Sequence, residues 1–213
     1  MKKELEKLQK DYRDRGINKK DLPDDPVVLT RQWMDEALQE DLPEPNAMAI
    51  STVNNEKRTS IRTVLLKELN SRGLVFYTNY NSRKAKDLEE NPFISALLFW
   101  PELERQVRIE GFAEKTKPEE SDEYFSGRPR ASQIGAWASP QSKIIESREN
   151  LEKRYLRIEE QYQGKDIPRP PHWGGYRIKP AYFEFWQGRP GRMNDRIVYI
   201  RESQRWRKER LAP

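Results

Sequence analysis

Between residues 47 and 114 the chain repeats one pattern: a short apolar stretch, a tight polar turn, then another apolar stretch. AMAISTV, TVLL, LVFY and ISALLFW are each too short for a long helix and are rich in β-branched and aromatic side chains. Bounded by turn signals such as NNEK and NSRG, such runs read as strands joined by hairpins. The pattern predicts strands over residues 47–53, 60–69, 74–78, 93–99 and 105–114, and again over 182–187, 195–201 and 205–210. Antiparallel meanders with short turns favour a barrel over a doubly wound sheet. No GxGxxG follows a strand, which argues against a dinucleotide fold. The expected class is therefore mainly β with added helices (α+β), on an antiparallel framework.

Helices fill the gaps between these runs. Residues 1–15 read as a charged helix or a mobile arm, and 18–26 as a Pro/Asp-rich connector. Asp25 can cap a helix with Pro26 in its first turn, carrying Val28, Leu29, Trp33, Ala37 and Leu38 and ending before Pro43. Asn81 or Ser82 can cap a second helix, which Asn91-Pro92 ends. Thr116, Pro118 and Glu119 look like a capping box opening a helix through Phe125. Residues 128–137 suit a short helix, and 147–163 a longer charged one that Gly164 can terminate. The stretch 166–175 is too Pro-rich for regular structure. The chain thus divides into an N-terminal arm and helix, residues 1–45, and one domain over residues 46–213.

With no cysteine and a single histidine, disulfides, thiolate chemistry and metal sites built on cysteine are excluded, and no metal-ligand spacing occurs. His172 sits in a Pro/Gly linker, where a structural role is the ordinary one. A net charge of +5 invites a nucleic-acid reading, but 35 acids nearly balance 40 bases and no basic run is long. Small phosphorylated ligands explain the same cations. No secretory leader and no membrane-length apolar run is visible, so a soluble, cytoplasmic protein is expected, without nucleic-acid or membrane partners. Chemistry in such a chain falls to a bound organic cofactor held by arginines, lysines and aromatics.

Five segments carry candidate chemistry. In RTVLLK, period-2 alternation puts Arg62, Val64 and Leu66 on one strand face and Thr63, Leu65 and Lys67 on the other. Two cations could reach two anions, though an amphipathic strand with solvated ends has the same pattern. In YTNYNSRKA, Arg83 and Lys84 occupy the first turn of a helix, where cations are disfavoured unless an anion sits there. In ERQVRIEG, the Gln106 amide can address a heterocycle edge. Tyr124, Arg128 and Ser132 recur at helical spacing and could surround a phosphate, with Gln141 and Ser142 following. FEFWQGRPGRMNDR places aromatics beside a Gly/Pro turn and arginines flanking an Asn-Asp pair.

Taken together these segments resemble the pyridoxine/pyridoxamine 5′-phosphate oxidase family. The matching strings are RTVLLK, VFYTNYNSRKA, LERQVRIEG, YFSGRPRASQIGAWAS with Gln141-Ser142, HWGGYR, FEFWQG, the Arg192…Asp195-Arg196 pattern and the terminal RLAP. They stand in the family's order and run from about residue 10 to 213.

The resemblance implies an FMN-binding split β-barrel and a homodimer. It implies oxidation of pyridoxine 5′-phosphate and pyridoxamine 5′-phosphate to pyridoxal 5′-phosphate, with hydride passing to the flavin and O2 reduced to H2O2. By position, FMN would be held by Arg62, Thr63, Val64, Leu65, Leu66, Lys67, Tyr77, Thr78, Arg83, Lys84, Gln106, Gln141, Ser142, Trp186 and Arg196. Lys67, Tyr124, Arg128 and Ser132 would hold the substrate phosphate, with Arg192 and Asn194 as catalytic residues over the pyridine. Asn194 departs from the family, which commonly has His there, and the arm reads Gln9, Lys10, Asp11, Tyr12 in place of an Arg pair before Glu-Tyr. The alternative is a split-barrel flavin reductase or a non-catalytic FMN-binding protein.

Overall fold

The computed structural model describes residues 11–213. Most of the expected arm helix lies outside the described residues, and residues 11–18 have no regular structure. Nine strands follow: β1 (Ala47–Val53), β2 (Thr59–Leu65), β3 (Glu68–Asn70), β4 (Gly73–Asn79), β5 (Phe93–Trp100), β6 (Arg105–Lys115), β7 (Trp173–Gln187), β8 (Asp195–Glu202) and β9 (Arg205–Leu211). They belong to one sheet of order β2-β1-β5-β6-β7-β4-β3, with β8 paired to β7 and β9 to β8. Five α-helices are interspersed: α1 (Pro26–Gln39), α2 (Arg83–Glu90), α3 (Pro118–Ser126), α4 (Arg130–Ala138) and α5 (Arg148–Gln161).

The chain gathers into two compact units. One takes the chain up to Met48, Ser95–Glu110 and Pro180–Pro213; the other takes Ala49–Ile94 and Gly111–Lys179. In the first, the Asp25 carboxylate accepts the Val27 N–H, and Pro26 needs no donor in the opening turn of α1. Val27, Leu29, Thr30, Trp33 and Ala37 form its buried stripe. Val28 and Leu38, expected on that stripe, are 44% and 58% exposed, because the helical period turns them outward. Trp33 meets Phe185 edge-on at 5.2 Å, and Phe185 meets Tyr199 at 5.5 Å. The Arg105 guanidinium lies 4.5 Å from the Trp33 ring centroid. Register pairs Trp186 with Arg196 across β7 and β8.

In the second unit, β4 is buried on both faces and pairs antiparallel with β3 and with the start of β7. Three expectations change here. The run 60–69 is two strands, since β2 stops at Leu65 and the Lys67 N–H turns to the Val75 carbonyl. Thr116 does not cap α3; Lys117 occupies the cap, and the Thr116 hydroxyl bonds the Ser121 hydroxyl at 2.8 Å. Finally, the Pro-rich stretch does not stay irregular to Gly175. Trp173 already opens β7, and Gly174 and Gly175 pair with Thr78 and Tyr77.

Candidate functional site

A cavity of about 1250 Å³ opens within the second unit. Its walls come from β2, the β2–β3 bend, β4, the start of α2, α3, α4 and the beginning of β7. Sequence-predicted residues supply much of the lining. Arg62, Thr63, Val64, Leu65 and Lys67 come from the RTVLLK segment, Tyr77, Thr78 and Lys84 from the next, and Tyr124, Arg128, Ser132 and Gln141 from the helical region.

One group of donors centres on Lys84. Ser82 caps α2 by accepting the Ala85 N–H, which fixes the first turn and the lysine in it. The Lys84 ammonium donates to Thr78 Oγ1 at 2.9 Å, Gln141 Oε1 at 3.1 Å and Ser82 Oγ at 3.3 Å, all neutral oxygens. Burial, followed by the Arg62 charge, pulls its pKa down to about 8. Arg62 donates to Thr52 Oγ1 and Ser60 Oγ, both at 2.7 Å, and lies 3.8 Å from the Asp87 carboxylate. The Thr52 hydroxyl donates in turn to Asp87 at 2.6 Å.

A second group centres on Arg128. Its α-helical spacing from Tyr124 and Ser132 does not reflect one helix. Tyr124 lies in α3, Ser132 in α4, and Arg128 in the break between them. The break is closed by Gln133, whose amide donates to the Phe125 and Ser126 carbonyls at 2.9 and 3.1 Å. Arg128 lies 4.5 Å from the Trp173 ring centroid and 5.7 Å from that of Phe125. Its Nη1 is buried without a hydrogen-bond partner among the described residues, and burial lowers the guanidinium pKa. Tyr124 stacks on Tyr77 at 3.9 Å with 4° between the rings. Burial, then the Glu68 and Glu120 charges, pushes the Tyr77 hydroxyl up to about 12, so it is a neutral donor at physiological pH.

Not every predicted residue meets this cavity. Leu66 is buried in the core. Arg83 and Ser142 line a smaller cleft together with Asn54, Lys86 and Lys143. Gln106, Trp186, Arg192, Asn194 and Arg196 belong to the other unit. Gln106 is half-buried on β6. The Trp186 ring meets Tyr12 edge-on at 5.6 Å. Arg196 donates to the buried Glu184 carboxylate at 2.8 Å and to the Ala212 carbonyl at 3.0 Å. Arg192 is exposed in a short 3-10 turn (Pro190–Arg192) with φ 60°, and the Asn194 side-chain oxygen closes that turn by accepting the Arg189 N–H at 3.0 Å. Asp195 accepts the Ile17 N–H at 2.9 Å and pairs with Arg189 and Arg210.

Sequence reasoning missed the acidic wall and Trp173. Glu68 and Glu120 line the cavity and are tied by Arg177 and Arg72. No local signal brings a β3 glutamate, an α3 glutamate and a β7 arginine together. Trp173 was concealed by the prolines before it. His172 is structural, its ring within 3.3 Å of the Ala136 carbonyl. Among the described residues, no group of three His, Asp or Glu could hold a metal ion, and no helix is long and apolar enough to cross a membrane.

An antiparallel sheet with inserted helices and a cation-lined cavity defines the split β-barrel class. Its solved members include PhzG from Burkholderia lata 383, determined in complex with tetrahydrophenazine-1-carboxylic acid; it superposes with a TM-score of 0.89 at 31% identity over 94% of this chain and 98% of that one. Residues 34–162 match the pyridoxamine 5′-phosphate oxidase family model, and residues 173–213 match that of the pyridoxine 5′-phosphate oxidase C-terminal dimerisation region. The pyridoxine/pyridoxamine 5′-phosphate oxidase of Rubrobacter xylanophilus is 50% identical, over 99% of this chain and 97% of its own length. That of Burkholderia multivorans is also 50% identical, over 98% and 99%. The chain belongs to the pyridoxine/pyridoxamine 5′-phosphate oxidase family.

Proposed function

We propose that this protein binds FMN and oxidises pyridoxine 5′-phosphate and pyridoxamine 5′-phosphate to pyridoxal 5′-phosphate. The observation that carries this reading is the presence, in one cavity, of two donor groups, one around Lys84 and Arg62 and one around Arg128, that each suit an anion. FMN and a phosphorylated vitamer need two such places. When bound, FMN would supply the two-electron redox chemistry, with O2 as the final acceptor giving H2O2; the amine substrate would in addition consume water and release ammonia.

The chain's own residues bind and orient. Lys84 and Arg62 neutralise the flavin phosphate. Lys67, Tyr124, Arg128 and Ser132 hold the substrate phosphate, combining charged and hydroxyl donors around one anion. Anchoring both ligands converts an encounter into a fixed arrangement, which alone lowers a barrier substantially. The roles implied by resemblance for Leu66, Arg83, Ser142, Gln106, Trp186, Arg196, Arg192 and Asn194, and the homodimer, belong to the same proposal.

The test is to load the purified protein with FMN and follow pyridoxal 5′-phosphate and peroxide formation from each vitamer. Both should appear. Arg128→Ala should lower kcat/KM for pyridoxine 5′-phosphate by at least tenfold with flavin content unchanged, since a charge-assisted bond contributes about 1.5–3 kcal/mol. A flavin-loaded protein that oxidises neither vitamer would sink the reading and leave a reductase or a flavin carrier.

A further inference from the structure

We infer that Trp173 is the positioning residue for Arg128, and that this aromatic mount sets the preference for phosphorylated over unphosphorylated ligands. The inference rests on the reading that Arg128 takes the substrate phosphate. A guanidinium carries all its N–H donors in its plane and none on its faces. An arginine held by its edge therefore spends donors on the protein, whereas one held by its face keeps them for a ligand.

Both arrangements occur in this unit. Arg177 is held by its edge, with Nη2 donating to the Glu68 and Glu120 carboxylates. Arg62 is held by Thr52 and Ser60. Arg128 instead lies over an aromatic ring, 4.5 Å from the Trp173 centroid, and its guanidinium makes no hydrogen bond or ion pair among the described residues; a buried Nη1 without a partner is common to Arg128 and Arg177. The cation–ring attraction holds the charge without consuming a donor. An anion arriving in the cavity meets a lining guanidinium whose donors are not committed to the protein.

The mount itself is closely packed. Trp173 is 6% exposed and Phe125 is 1% exposed, and they meet at 5.1 Å. The Trp173 carbonyl accepts from Arg169 Nη1 at 2.6 Å, and its N–H donates to the Pro170 carbonyl at 3.0 Å. The ring also stacks on Tyr77 at 5.5 Å with 7° between planes, and Tyr77 stacks on Tyr124. One aromatic ladder thus places two of the four proposed phosphate donors.

The test uses FMN-loaded protein and calorimetric binding of 4-deoxypyridoxine 5′-phosphate and 4-deoxypyridoxine, which lack the oxidisable group. Trp173→Leu should weaken the phosphate ester at least tenfold and the free alcohol less than threefold. Trp173→Phe should keep most of the preference. With pyridoxine 5′-phosphate as substrate, KM should rise more than kcat falls. In an Arg128→Ala background Trp173→Leu should change the preference no further, because the two residues act as one unit. Fluorinated tryptophans introduced at position 173 keep the shape and weaken the ring face, so they test the mount even if the leucine variant does not fold; preference should fall stepwise with fluorine count. If Arg128→Ala abolishes the preference while the Trp173 variants leave it intact, the mount is wrong and the phosphate site stands. Should Arg128→Ala leave the preference untouched, the phosphate reading fails and takes this inference with it.

Discussion

Lys84 is a cation with only neutral oxygens around its ammonium group. Its pKa of about 8 is the response to burial beside Arg62, and a bound phosphate would reverse it. FMN binding should accordingly be tightest below pH 8, take up protons near that pH, and weaken as pH rises beyond it. Flavin dissociation constants at pH 7 and pH 9 should differ severalfold in the native protein and little in Lys84→Arg; riboflavin should show no such difference. The sign for folding is opposite. A lysine whose folded pKa lies below the ordinary 10.5 binds fewer protons folded than unfolded between those values, so Lys84 makes the flavin-free protein more stable as pH rises through that window. A steeper pH dependence for riboflavin than for FMN would refute the phosphate role. Asn194 shows a different constraint. Its side-chain oxygen already accepts from Arg189, which leaves its NH2 group and one remaining lone pair to address a ligand.

At the scale of elements, the start of β7 is set by close approach. A Cβ on Gly175 would stand 2.6 Å from Thr116 Oγ1 and 3.0 Å from the Tyr77 ring. Gly175→Ala should cost about 1–3 kcal/mol, read as a lower denaturant midpoint. Gly135→Ala on α4 meets nothing within 4 Å and should be neutral or stabilising by up to about 1 kcal/mol. Equal effects would show that strand approach is not what requires glycine at 175. What the sequence revealed divides along the same line. Strands such as β1 and β8 were legible because alternation and turn residues are local. The bend at Leu66-Lys67 was not, since the apolar run continues through it and only the partner Val75 defines the break. Arg128 was legible as a phosphate candidate, but its helical spacing was misleading because the chain breaks at Gly127–Pro129. Arg83 and Lys84 are adjacent in sequence yet line different clefts, as neighbours on a helix point in directions about 100° apart. Trp173 was hidden because prolines suppress a strand reading in the residues that follow.

For the whole molecule, the match of residues 173–213 to a dimerisation region supports the proposed homodimer. Large side chains remain exposed on strands, Ile61 at 72% and Phe93 at 68%. Sedimentation should give about twice the monomer mass, and Ile61→Asp with Phe93→Asp should shift it toward the monomer. A native monomer with full flavin and full activity would rule the dimer out. The two matched segments meet across residues 163–172, an obvious place to join parents when shuffling relatives. Yet β7 opens at Trp173 inside the unit that holds Arg128. A crossover in that linker takes the indole from one parent and the guanidinium from the other. If Trp173 mounts Arg128 as proposed, chimeras cut there should inherit their phosphate discrimination from both ancestors at once, whereas a cut between Lys179 and Phe183 should pass it on intact.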